Sequence, residues 1–264
     1  MTDLFQFAAA LVGAEIDLKL LAHCFVQEGC NVQYSEFPDI GNGHFYLLTS
    51  TTLRMESMER REIVADADGN QNEIFLDSTW DQAATEAERL LYVMLGAARL
   101  VRSQFKPVSI GSLHKFQLDG LLVGSSSHGS FGDSSRNYGM PPDRTGLTAL
   151  VRKWVSNGLE DEAVNFALSI YGALPLSWSM LYMVYEVIQG DIGGDNDVDK
   201  LISAKERKDF TKAANNGRNL RSGPRHAKKP KVDQNSLITI TLGESIIRDL
   251  LNKWLGRKVG NVMR

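Results

Sequence analysis

The chain has 264 residues, 43% hydrophobic and 23% charged, with 29 Lys/Arg against 32 Asp/Glu and a net charge of −3. That apolar fraction can bury a core, the length suits one large domain or two ordinary ones, and the charge balance excludes a uniformly basic coat protein. Two cysteines, Cys24 and Cys30, without a repeated C-x-x-C spacing support neither a disulfide framework nor a zinc ribbon.

The opening residues, MTDLFQFAAALVGAE, lack the basic segment of a secretory signal, and the cysteines read as small apolar fillers in a reduced compartment. A cytoplasmic protein is the expectation. Apolar residues at Ile16, Leu20, Leu21, Cys24 and Phe25 predict a helix over Ile16 to Gly29, closed by the glycine. NVQYSEF and HFYLLTST are β-prone runs, and REIVADADGNQNEIFLD predicts a hairpin around Asp68-Gly69. Ser78 to Phe105 is the strongest helix of this half, with Ala87, Leu90, Leu91, Met94, Leu95 and Ala98 on its apolar face. Short strands return in KPVSIGSLHKFQLDGLLVG. Gly124 to Gly146, rich in glycine, serine and proline, has little to bury and reads as a linker or loop.

The remainder is expected to be helical. TALVRKWVSNG and DEAVNFALSIYG are two helices, the second ending at Gly172. Ala163 to Tyr185 is uncharged and nearly long enough to span a bilayer, but the break at GALPLS predicts two packed soluble helices instead. Ser177 is the expected N-cap of SWSMLYMVYEVIQG, whose stripe is Leu181, Val184, Tyr185 and Ile188. Ser203 with Glu206, and Thr241 with Glu244, have capping-box spacing. Ile246, Ile247, Leu250, Leu251 and Trp254 form the stripe of the last helix. The fold class is therefore α+β: a mixed domain over 1–123, a linker over 124–146 and a helical bundle over 147–264.

Charge is segregated along the chain. Ten Lys/Arg and two Asp/Glu fall between Lys205 and Lys231, which leaves +8 there and −11 elsewhere. Such a segment attracts phosphates, and arginines beside glycine and proline can present their forked donors to phosphate oxygens. Within RNLRSGPRHAKKPK, His226 lies between Arg225 and two lysines, Lys228 and Lys229. Neighbouring cations favour a neutral imidazole, which can take a proton from a ribose 2′-hydroxyl while an arginine steadies the charge developing on phosphorus. The candidate catalytic residues are His226, Arg221 and Arg225; the candidate phosphate grips are Arg218, Lys228, Lys229 and Lys231.

From Leu147 to Lys258 the chain resembles a HEPN domain, the small helical bundle of many prokaryotic RNases and defence proteins. The resemblance rests on the tyrosine-rich helix LYMVYEVI, the following helix ending in AANN, the arginine–histidine segment and a last helix closed by tryptophan. In HEPN-type RNases an arginine stands a few positions before a histidine, and Arg221, with SGPR between, reaches His226 in that way. The resemblance implies metal-independent RNA cleavage in phage defence or stress response, and a homodimer. It implies no cofactor.

Other chemistry is thin. Asp195 to Glu206 spaces its acidic groups as an EF-hand loop does, but Lys200 stands where that loop needs glycine. GSSSHG lacks the elbow of a serine hydrolase, and no nucleotide-binding glycine motif occurs. His23, His44, His114 and His128 read as structural or surface residues. Tyr182 and Tyr185 read as core residues with one wet end, and Glu186 as an ion-pair partner for Arg221 or Arg225.

Overall fold

The structure is a computed structural model. It describes residues 4–27, 30–36, 44–56, 59–65, 71–77, 79–102, 105–118, 121–127, 145–215 and 238–261. Strands and helices both occur, in an α+β arrangement with two compact units. One unit comprises Met1–Leu91 and Lys106–Asp143; the other comprises Tyr92–Phe105 and Arg144–Arg264.

The first unit is built on a six-stranded antiparallel sheet. Its strands are β1 (Leu4–Val12), β2 (Val26–Gln27), β3 (Cys30–Glu36), β4 (His44–Glu56), β7 (Ser109–Gln117) and β8 (Leu122–Ser127), in the order β2-β3-β4-β1-β7-β8. β1 lies between β4 and β7, with Ala9 opposite Leu48 on one side and Leu113 on the other. Phe7 to Leu11 are all buried, so both faces of this strand are covered and its apolar run does not alternate. On one face Phe7 meets Trp80 edge-on at 5.3 Å, and Gly124 approaches the same indole. The other carries Ala8, Ala10, Leu47 and Phe116. Lys115 is only 7% exposed and places its ammonium 4.2 Å above the Phe5 ring. β5 (Glu59–Ala65) and β6 (Gln71–Asp77) pair antiparallel as a separate sheet, the hairpin expected from the sequence.

Two sequence expectations are corrected here. α1 (Glu15–Cys24) stops five residues short of Gly29, because Val26 and Gln27 pair with Asn31 and Cys30. A ladder to β3 outweighs the helical period there. Gly124 to Ser127, expected in the linker, form most of β8 and pair with β7. Their serines need no core of their own because β7 supplies the partner groups.

α2 (Thr79–Val101) begins in the first unit and ends in the second. All six residues of its expected apolar face are buried, and so are Val93 and Ala97. From Val93 to Leu100 it is buried on every side. The other described elements of the second unit are α3 (Thr145–Glu160), α4 (Glu162–Gly172), α5 (Trp178–Ile192), α6 (Asp195–Val198), α7 (Ala204–Ala214) and α8 (Ile240–Asn261). α3 packs on α4 and α8, and α5 on α4, α7 and α8. Among the described residues no helix is long and apolar enough to cross a membrane, and Ala163 to Tyr185 divides between α4 and α5.

Glycines set the closest helix contacts. A methyl group at Gly96 in α2 would overlap the carbonyl of Leu168 in α4, and one at Gly172 would overlap that of Tyr92. The two helices therefore cross backbone to backbone. In α8, Gly243 presses on the Trp178 ring, where an added Cβ would lie 2.6 Å from the indole. Gly193 caps α5 in the left-handed conformation at φ 103°, which glycine adopts without a steric penalty.

Candidate nucleic-acid interface

The basic segment leaves the described chain at Asn215, after α7, and the chain returns at Ile238, before α8. His226, Arg221, Arg225, Arg218, Lys228, Lys229 and Lys231 lie outside the described residues. The helices on either side of the segment are described.

α7 begins with the expected capping box. The Glu206 amide donates to Ser203 Oγ at 3.2 Å, and the Ser203 amide donates to Glu206 Oε2 at 2.9 Å. One side of α7 is fixed by Arg207. Its Nε and Nη2 donate to Asp199 at 2.6 and 3.1 Å, and its Nη1 reaches Asp195 at 2.8 Å. Asp195 also accepts from the Tyr185 hydroxyl and from Gln189, both at 2.6 Å. Hydrogen bonding to Arg207 holds the Asp199 carboxyl below its usual value. Burial, and then Asp195, push the Tyr185 hydroxyl well above the usual phenol range.

The acidic groups that are spaced as in a calcium loop have other partners here. Asp195 and Asp199 face a guanidinium, Asp197 pairs with Lys200 at 2.5 Å, and Glu206 caps a helix. Among the described residues no group of three His, Cys, Asp or Glu side chains could hold a metal ion.

An aromatic group joins the helices that flank the segment. Phe210 of α7 lies 5.9 Å from Trp178, 5.8 Å from Tyr185 and 6.3 Å from Tyr182, ring centre to ring centre. Trp178 in turn touches Gly243 of α8. Tyr185 matches its expected role, with a buried ring and a polar tip on Asp195. The opposite side of α7 presents Lys205, Lys208 and Lys212 exposed to solvent.

The start of α8 differs from expectation. The helix begins at Ile240, and Thr239 rather than Thr241 caps it, its Oγ1 accepting from the Leu242 amide at 3.3 Å. Glu244 instead accepts from Arg99 Nη2 at 3.0 Å. Arg99 is 4% exposed, lies over the Tyr171 ring at 5.0 Å and donates from Nη1 to the Tyr171 carbonyl at 2.7 Å. A buried cation has more need of a carboxylate than a solvated helix end does. Burial first, then Glu244, push the Tyr171 hydroxyl up to about 12. The sequence held one signal of this cluster: Arg99 continues the stripe of Leu91 and Leu95 at i+4 spacing, so a cation falls on an apolar face.

At the other end of α8, Lys258 donates to Asp161 and Asp191, each at 2.7 Å, and Trp254 Nε1 donates to Asp191 at 2.8 Å. α8 is thus tied at both ends.

In the first unit, His114 is 1% exposed, with Ser112 Oγ 2.9 Å from Nε2 and Ser125 Oγ 3.0 Å from Nδ1. Burial lowers its pKa and keeps the ring neutral at pH 7. Ser125 belongs to GSSSHG, yet its histidine partner is across the β7–β8 ladder. Both ring nitrogens are occupied, as in a structural histidine.

No family model matches the chain, and no curated protein or solved structure shows significant similarity to it.

Proposed function

We propose that this protein binds RNA through Arg218–Lys231 and cleaves it without a metal ion, as a HEPN-type ribonuclease of prokaryotic defence or stress response. The observation that supports the reading is the segment's place in the chain together with its charge. The segment connects α7 to α8, helices that share the Trp178 contact, and it holds most of the chain's concentrated positive charge. A connection between two packed helices that is rich in glycine, proline and arginine is a common place for functional groups.

In this reading His226 takes the proton of a 2′-hydroxyl. The 2′ oxygen attacks phosphorus, the bond to the 5′ oxygen breaks, and a protonated imidazole supplies the leaving oxygen's proton. Arg221 and Arg225 hold the scissile phosphate; Arg218, Lys228, Lys229 and Lys231 hold its neighbours. A homodimer built from HEPN-type bundles brings two such segments together and provides one imidazole as base and another as acid.

The test is incubation of labelled RNA with purified protein in chelator, comparing wild type with His226→Ala and Arg221→Ala. Cleavage by wild type, lost in both variants, is expected. Gly223 and Pro224 inside the arginine–histidine spacing favour a second reading, a non-catalytic interaction protein whose segment docks nucleic acid or an acidic partner. Binding without cleavage in all three proteins selects that second reading.

A further inference from the structure

We infer that the RNA interface extends beyond the basic segment along α7, as a track for one nucleic-acid strand made by Lys205, Lys208 and Lys212. This inference rests on the RNA-binding reading and adds positions and a strand preference to it. The three lysines are spaced i, i+3 and i+7, so at 3.6 residues per turn they fall within about 60° of one another. Phe210, Ala213 and Ala214 are buried on the opposite side, and all three lysines are exposed. The helix's remaining cation, Arg207, is turned to Asp195 and Asp199 and takes no part.

Of the acidic residues near the row, Glu206 is engaged by Ser203, Asp199 is held first by Arg207 and more weakly feels Lys208, and Asp209, partly buried, borders the stripe. From Lys205 to Lys212 the row rises about 10 Å along the axis, room for successive phosphates of one strand. Its far end leads directly into Asn215 and the basic segment. A row one lysine wide faces one backbone, whereas a duplex presents two. Phosphate contacts of this kind fix the register of a strand without reading its bases.

The experiment measures binding of a short labelled single-stranded RNA, and of a duplex of the same length, across a salt series with the full chain. It compares wild type, the triple variant Lys205→Gln/Lys208→Gln/Lys212→Gln, the segment variant Arg218→Gln/Lys228→Gln/Lys229→Gln, and the exposed control Lys106→Gln. Circular dichroism checks that each is folded. The α7 variant is expected to bind the single strand about tenfold or more weakly at low salt, with a log–log salt slope shallower by about 2, near 0.7 for each lost contact. The segment variant weakens as well, and Lys106→Gln does not. Unchanged affinity and slope in the α7 variant, with the segment variant weakened, overturns the track and leaves the RNA-binding reading standing. Equal effects on duplex and single strand overturn the strand preference. A wild type that binds neither RNA overturns both ideas.

Discussion

Arg99 Nη2 lies 3.0 Å from Glu244 Oε1, so a cation buried on α2 is paired with a carboxylate in the second turn of α8. Removing the carboxylate with Glu244→Ala leaves Arg99 with the Tyr171 carbonyl and ring but no counter-charge from Glu244. Breaking a fully buried pair costs about 3–5 kcal/mol, and Glu244 is partly exposed, so a loss of about 1–3 kcal/mol is expected. Replacing both members by apolar residues, Arg99→Met with Glu244→Leu, should recover part of that loss. Urea midpoints check this, and a double variant less stable than Glu244→Ala would contradict it.

The glycines give a contrast of sign. Ala at Gly96 or Gly172 must push a neighbouring helix backbone away, an overpacking cost of about 1–3 kcal/mol or more. Gly190 and Gly256 are also helical, yet among the described residues no other side chain or packed segment lies within 4 Å of an added Cβ. Alanine there should stabilise by about 0.5–1 kcal/mol through helix propensity alone. Thermal midpoints of the four single variants should fall for the first pair and rise for the second.

His114 sets a pH dependence near neutrality. Its folded pKa lies below the ordinary value of about 6.5, so the folded state disfavours the imidazolium that the unfolded chain accepts. Its contribution is whole above that value and is lost as pH falls through the folded pKa. The lowered Asp199 and Glu206 carboxyls act in a separate, more acidic window, below their ordinary values of 3.8 and 4.5. Denaturant unfolding from about pH 7.5 to pH 5.5 should weaken wild type more than His114→Gln. Parallel curves for the two proteins would remove His114 as the cause.

Ser203 closes the exposed start of α7, and Ser203→Ala removes the hydroxyl that accepts from the Glu206 amide and donates to its carboxylate, while the backbone amide at 203 can still donate to Glu206. A loss of about 0.5–2 kcal/mol is expected, with faster amide exchange confined to the first turn of α7. Ser203→Asp, which restores an N-cap oxygen, should recover most of the protection.

Much of the second unit was legible beforehand because its signals are local. The Ser177 and Ser203 caps, the stop at Gly172 and the stripe from Ile246 to Trp254 each lie within a few residues of the feature they specify. The candidate site was legible only as charge and residue type. What the fold adds is the contact of the flanking helices α7 and α8 with α5 through Phe210, Trp178 and Gly243, whose partners are far apart in sequence.

By itself the amino-acid order determined the helical periods of the second unit, the Ser177 and Ser203 caps, the β5–β6 pairing and the gathering of cations between Lys205 and Lys231. Tertiary structure alone decided that β1 lies inside the sheet between β4 and β7, that α1 yields to β2 at Phe25, that Gly124 to Ser127 join the sheet, and that Glu244 turns to Arg99 instead of capping a helix. The physical reason is range. A helix closes its hydrogen bonds within four residues, whereas a strand's partner or a buried cation's counter-ion is fixed only when distant segments meet.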